Sequence, residues 1–351
     1  SERKRRTVRG LWALAVTLGA GLLTVLVIAS VLLTLERDRT EAERNQLAEV
    51  LLDEAASTTE AELDGLFEPV YGALNSTTGW ARMGLLDSDE PERLNMLLMP
   101  VLEGVPVTTS MLRADASGRE YMLLRTETGW RTRTSAPMEI SILREWSRDR
   151  ELLETRAGDP DYRPHERPWY IGGAALRTKS EQALRDHLPP PVHWTEPYIF
   201  FTTREPGISV SAAATSPSGR AFVIAFDIKL GDISSFTEQL PGRIRQGQVF
   251  VIDEHDRLLG LPRETIDLPE RHRELILQPI AELAEQAPRS HRAWSEWDRR
   301  GRSLEPFRIA MAGGEDEDEH YWVDFRHVDR PDRPQMWIAV ILPESHFVVA
   351  E

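Results

Sequence analysis

Residues 159–170 read Asp-Pro-Asp-Tyr-Arg-Pro-His-Glu-Arg-Pro-Trp-Tyr, which crowds Tyr162, Arg167, Trp169 and Tyr170 around Pro164 and Pro168. The chemistry open to such a set is recognition of an anion. A guanidinium grips a carboxylate through two parallel hydrogen bonds, and aromatic rings add flat, rigid walls. Each proline fixes its own φ and biases the residue before it toward extended backbone, so the side chains are aimed in advance. Asp227 is a second candidate: it lies at the end of the apolar run 221–228, where a carboxylate is rare unless it has a partner. The same residue types also serve structure. Arg167 is equally able to stack on Trp169 or pair with Glu166, and buried tyrosines and tryptophans are often core rings.

Other chemistries find little support. There is no Gly-x-Ser-x-Gly elbow, no phosphate-cradling glycine loop and no His-Glu-x-x-His pair. Cysteine is absent, which removes thiol catalysis, cysteine metal sites and disulfides. The acidic run 315–319 followed by His320 lacks the spacing of a calcium loop and reads as a solvated hairpin tip. We therefore expect no enzyme activity in this part of the protein, no metal and no cofactor. With 57 acidic against 42 basic residues the net charge is −15, so phosphate backbones are repelled and no nucleic-acid partner is expected.

The elements that must hold these residues begin with a membrane anchor. Residues 10–35 carry no charge and are rich in Leu, Val and Ala. At about 1.5 Å per residue they are long enough to cross a hydrocarbon core of roughly 30 Å. The basic cluster Arg3, Lys4, Arg5, Arg6 and Arg9 precedes them. The expected topology is a cytoplasmic segment 1–9, a single inner-membrane helix 10–35, and residues 36–351 periplasmic or extracellular. A stalk helix over 36–78 follows, with Leu47, Val50, Leu51, Ala55, Leu63, Leu66, Val70 and Leu74 on one stripe. Such a stripe fits a helix covering a sheet and equally a homodimer formed by the tethered chain.

Beyond the stalk, the pattern predicts a helix over 92–102 and strands over 107–114 and 120–125 joined by the turn 115–118. Further strands are expected over 129–134, 194–201, 208–214 and 221–228, and then a short helix to residue 240 capped by Asp232. The outline then restarts on a smaller scale. Strands are expected over 247–252 and 258–261, a helical stretch over 269–287, and strands over 307–312, 321–328 and 336–342. The fold class is α+β: two tandem modules with antiparallel sheets, 79–240 and 241–351, on a long N-terminal helix.

Five stretches in this order carry a resemblance: 162–170, then Trp194-Thr195-Glu196-Pro197-Tyr198, then Ala225-Phe226-Asp227-Ile228, then 247–256, and the strand end 337–343. Together they resemble double Cache sensor domains of bacterial chemoreceptors, sensor kinases and cyclic-nucleotide signalling enzymes. The resemblance implies two stacked PAS-like modules with the ligand in the membrane-distal one. In the amino-acid-binding branch a Tyr-x-x-x-x-Arg-x-Trp-Tyr stretch holds the ligand carboxylate, and a later Tyr and two Asp hold the amine. Tyr162, Arg167, Trp169 and Tyr170 match the first part, Tyr198 the later tyrosine and Asp227 the last aspartate. Phe200 stands where that branch has its first aspartate. The stretch between Tyr170 and Tyr198 is long, with a helical segment over 180–187 and Pro189-Pro190-Pro191, and is read as a lid or an altered pocket mouth.

The implied function is extracytoplasmic sensing of a small carboxylate-bearing ligand, an amino acid or an organic acid, by the sensor part of a longer transmembrane receptor. The alternative is a ligand-independent module that dimerises or docks a periplasmic protein. A membrane-tethered hydrolase is the less favoured reading.

Overall fold

The computed structural model describes the backbone of residues 2–239, 247–261, 272–311, 319–330 and 333–347, and side chains from residue 29 onward with isolated exceptions. One helix, α1 (Glu2–Arg82), forms the spine. The membrane helix expected over 10–35 falls mostly where side chains lie outside the described residues. Among the described residues no helix is long and apolar enough to cross a membrane. The acidic tip expected at 315–319 lies outside them as well, apart from Glu319.

From Ala48 onward α1 buries Leu52, Ala56, Leu63, Phe67, Val70 and Leu74. Spacings of three, four and seven residues put these side chains on one stripe. Both sheets pack on that stripe.

The first sheet runs in the order β5-β4-β3-β2-β1-β9-β8-β6, with β7 paired to β8. Its strands are β1 (Thr108–Asp115), β2 (Glu120–Arg125), β3 (Gly129–Ser135), β4 (Ile142–Ser147), β5 (Leu152–Ala157), β6 (His193–Trp194), β7 (Tyr198–Ile199), β8 (Pro206–Thr215) and β9 (Ala221–Lys229). The hairpin expected from residues 107–125 is thus the start of a five-strand meander. The last two strands escape notice because β5 is exposed at every position and has no apolar alternation.

One face of this sheet lies on α1 and on α2 (Pro91–Gly104), with Met111, Tyr121, Leu123, Ile224 and Phe226 in that core. The opposite face carries a smaller core of Leu112, Ala114, Met122, Leu124, Trp169, Val223 and Ala225. It is covered by α3 (Pro168–Ala175), and α4 (Arg177–Arg185) packs beside α3 against β8. At Gly173 an added Cβ would meet Val223 Cγ1 at 2.5 Å, so glycine lets α3 lie flat on the sheet.

Three expectations are corrected here. The strand expected over 194–201 is split into β6 and β7, because Pro197 has no N–H for the ladder. Asp232 does not cap its helix; α5 (Leu230–Gln239) begins two residues earlier, leaving Asp232 in the first turn. In place of a helix over 269–287 the described part has only α6 (His272–Leu275) and a 3-10 turn (Ile280–Glu282). The main helix, α7 (Pro288–Arg299), starts where Pro288 occupies a first-turn position that needs no N–H donor.

The second sheet has the order β11-β10-β14-β13-β12, formed by β10 (Gln248–Ile252), β11 (Leu258–Gly260), β12 (Phe307–Met311), β13 (Glu319–Val328) and β14 (Met336–Pro343). Trp297 of α7 stacks on Phe325 with ring centroids 4.2 Å apart. Arginines in and after β13 bind acids along α1: Arg326 to Asp53 at 2.6 Å, Arg330 to Glu60 and Asp64, and the buried Arg333 to Asp64 and Glu68. The second module is thereby tied to the spine by charge as well as by apolar packing.

Candidate functional site

The register of the first sheet builds the site. Asp227 on β9 is directly opposite Ser110 on β1 and Ser209 on β8, so three polar side chains stand in one row on the α3 face. The neighbouring row places Arg133 on β3 beside Met122, Leu112 and Ala225. Ser110 and Asp227 of the first row and Arg133, Met122 and Leu112 of the second form the floor of a small cavity. Its walls are Tyr162, Arg167, Trp169, Tyr198 and the segment 200–203. Five of the six residues expected at the site therefore converge on one space.

Tyr170 is the exception, and it stands outside that lining. Its ring packs on His165 with centroids 4.6 Å apart, and its hydroxyl donates to the Asp115 carbonyl at 3.3 Å. Successive residues on a helix point about 100° apart, and here Trp169 is turned to the cavity while Tyr170 is turned toward His165.

Asp227 is buried, and each carboxylate oxygen accepts a hydroxyl: Oδ1 from Ser209 and Oδ2 from Ser110, both at 2.5 Å. Ser209 Oγ also lies 2.7 Å from the Tyr198 hydroxyl. Burial pushes the Asp227 carboxyl up to about 6; the two serine hydroxyls and the charges of Arg133 and Arg167 pull against that rise without cancelling it. Burial also raises the Tyr198 hydroxyl above its ordinary range.

Two guanidiniums border the cavity in different ways. Arg133 is buried and donates to both oxygens of Glu120, Nε to Oε2 at 2.9 Å and Nη2 to Oε1 at 2.8 Å. Its third arm, Nη1, donates to Thr202 Oγ1 at 2.6 Å, and its guanidinium lies 3.5 Å from the centre of the Tyr162 ring. Tyr162 in turn donates to Glu120 Oε1 at 2.6 Å. Burial alone would lower the Arg133 pKa, but the Glu120 charge overcomes that and raises it.

Arg167 is tied down far less. It donates to the Ile199 carbonyl at 3.2 Å and lies near the rings of Tyr198 (5.5 Å) and Phe201 (5.8 Å), with no carboxylate partner among the described residues. Pro168 sets its backbone: Arg167 is extended at φ −86°, ψ 142°, and stands at the N-terminus of α3. That helix end adds a small positive potential to the guanidinium.

Phe200 is buried on the same wall, edge-on to Tyr198 with centroids 5.3 Å apart. Its ring lies over Gly207, where an added Cβ would meet Cζ at 2.0 Å. The enclosed volume is only about 20 Å³. That is roughly the space of a single water, so a ligand of several heavy atoms enters only if the 199–203 segment yields.

Sequence reasoning missed Ser110, Ser209, Arg133, Glu120 and Thr202. The signal that finds them is strand parity once the register is known: Ser110 and Leu112 share the face of Asp227, whereas Arg113, Tyr121 and Arg125 point to the α2 side. There Arg113 donates to the Ser88 carbonyl, Tyr121 to Asn95 and Arg125 to the Pro106 carbonyl. Among the described residues no group of three or more His, Asp and Glu is placed to hold a metal ion.

No protein-family model and no curated protein sequence matches the chain. Solved structures do. A chain titled methyl-accepting chemotaxis protein X aligns over 85% of this chain and 99% of its own, at 14% identity and a TM-score of 0.50. The ligand-binding domain of the Pseudomonas fluorescens chemoreceptor CtaA, solved with L-isoleucine, covers 88% and 94% at 15% identity and a TM-score of 0.48. That of the Pseudomonas aeruginosa PAO1 amino acid chemoreceptor PctC, solved with GABA, covers 85% and 99% at 18% identity and a TM-score of 0.47. At such identities the likeness is one of fold. With its long N-terminal helix and two antiparallel modules in tandem, the chain has the double Cache fold of chemoreceptor ligand-binding domains.

Proposed function

We propose that the chain is the extracytoplasmic sensing region of a transmembrane receptor, and that its first module binds a small carboxylate-bearing molecule in the cavity under α3. The observation that carries this reading is Arg167: a guanidinium framed by two aromatic rings at a cavity wall, hydrogen-bonded to a carbonyl and in salt-bridge contact with no carboxylate among the described residues. A ligand carboxylate supplies that contact. The receptor context is supported by the fold shared with a methyl-accepting chemotaxis protein.

The lining also explains why binding is favoured over catalysis as the role of the site. Its one carboxylate has both oxygens occupied, Arg133 is held by Glu120, and Tyr162 and Tyr198 have their hydroxyls engaged. Groups so fixed position a ligand well and transfer protons poorly. Signalling then follows if the ligand binds one arrangement of the 199–203 wall and the spine more tightly than another.

The test is thermal unfolding of the chain against a panel of amino acids and organic acids. A ligand that binds only the folded protein adds about 2.7 kcal/mol at a hundredfold excess over its Kd. Arg167→Ala removes a charged hydrogen-bonding pair, about 1.5 to 3 kcal/mol, or roughly 10- to 150-fold in affinity. A stabilising acid whose effect survives Arg167→Ala unchanged refutes the assignment.

A further inference from the structure

Resting on the carboxylate reading of this cavity, we infer that it takes an acid without an ammonium group, a small monocarboxylate with an apolar tail. An ammonium brings three N–H donors and a positive charge, and each donor needs an acceptor once water is excluded. Acceptors along the described lining are few, and the one carboxylate among them already holds two donors. Asp227 is the one acidic residue among the described lining, and Ser110 and Ser209 occupy its two oxygens. The Tyr198 hydroxyl donates to Ser209, whose own proton goes to Asp227, so Tyr198 keeps only the weak acceptor capacity of a phenol, and the Ile199 carbonyl already accepts from Arg167.

Charge points the same way. Arg133 and Arg167 are the cations of the lining, and the Glu120 carboxylate that balances Arg133 is itself gripped through both oxygens and by Tyr162. An ammonium there would face two guanidiniums, with Asp227, already holding two hydroxyl donors, as the one acid of the described lining. A carboxylate meets one guanidinium with free donors. The remaining lining of Leu112, Met122, Leu124, Trp169, Phe200 and Phe201 offers a carbon tail an apolar bed and no compensating acceptor. Phe200 in particular places a ring, edge-on to Tyr198, where an acidic side chain would have supplied the missing charge.

Matched pairs that differ only in the α-ammonium isolate this point: propanoate with L-alanine, 4-methylpentanoate with L-leucine, and 3-phenylpropanoate with L-phenylalanine. Each is titrated into the full chain by calorimetry, in parallel with Arg167→Ala and Phe200→Asp. The expected result is that at least one acid binds, at least tenfold tighter than its amino-acid partner, with the binding lost in Arg167→Ala. Phe200→Asp should narrow or reverse that ratio. Amino acids binding as tightly as the acids, and lost in Arg167→Ala, would overturn the inference while leaving the carboxylate site standing. Acid binding indifferent to Arg167→Ala, or silence of every pair, overturns both. The wild-type comparison decides alone, so the outcome does not depend on how well Phe200→Asp folds.

Discussion

Replacing Asp227 by Asn should change how the stability of the protein depends on pH. In the folded chain this carboxyl sits near 6 against an ordinary value of 3.8, because burial strips its hydration and the two serine hydroxyls and nearby arginines restore only part. Between those two values the folded protein holds a proton that the unfolded chain has released. Raising the pH therefore favours unfolding: the stability contributed by this group is complete below pH 4, drains away through pH 6 and is flat above. A shift of about two units at 1.36 kcal/mol each gives about 3 kcal/mol in all, of which about 2 to 3 kcal/mol falls between pH 4 and pH 7. Asn does not titrate, and the other ionisable groups are common to both proteins. The difference in urea unfolding free energy, wild type minus Asp227→Asn, should thus fall by that amount from pH 4 to pH 7. The hydrogen bonds altered by the amide add an offset that does not vary with pH. A flat difference, or one that rises with pH, would refute the reasoning, since it would mean that the serines and arginines hold Asp227 ionised.

Two further outcomes follow from the same wall. Glu120→Ala leaves the buried Arg133 without its counter-ion and should cost about 3 to 5 kcal/mol in unfolding experiments, whereas Glu120→Gln with Arg133→Met, which removes both charges, should recover most of it. Gly207→Ala drives a methyl into the Phe200 ring. It should destabilise the module by about 1 to 3 kcal/mol and displace Phe200, read as a change in near-ultraviolet circular dichroism.

Much of the architecture was legible in the chain because it depends on local periodicity. The strands β1, β2, β3, β8, β9, β10, β12, β13 and β14 and helix α2 each show the spacing or the turn residues that make them. The segment 162–170 stood out as a candidate site because tyrosine, arginine and tryptophan crowded around prolines serve either packing or recognition. What failed had no local signal. The strand β5 is exposed throughout, and α3 begins at Pro168, inside the very stretch read as a pocket wall.

The sequence by itself determined which side chains were available, Arg167, Trp169, Tyr162, Tyr198 and Asp227 among them, with Phe200 two residues after Tyr198. Only the tertiary structure decided which of them meet. Whether a strand residue faces the cavity depends on register, and a slip of one residue moves every side chain to the other face. That register aligns Ser110 of β1 with Asp227 and Ser209 of the distant hairpin β8–β9, brings Arg133 to the floor and Arg113 to the opposite core, and leaves Tyr170 to His165. Pairings between distant strands are set by the global packing of both sheets on α1, and no local pattern encodes them.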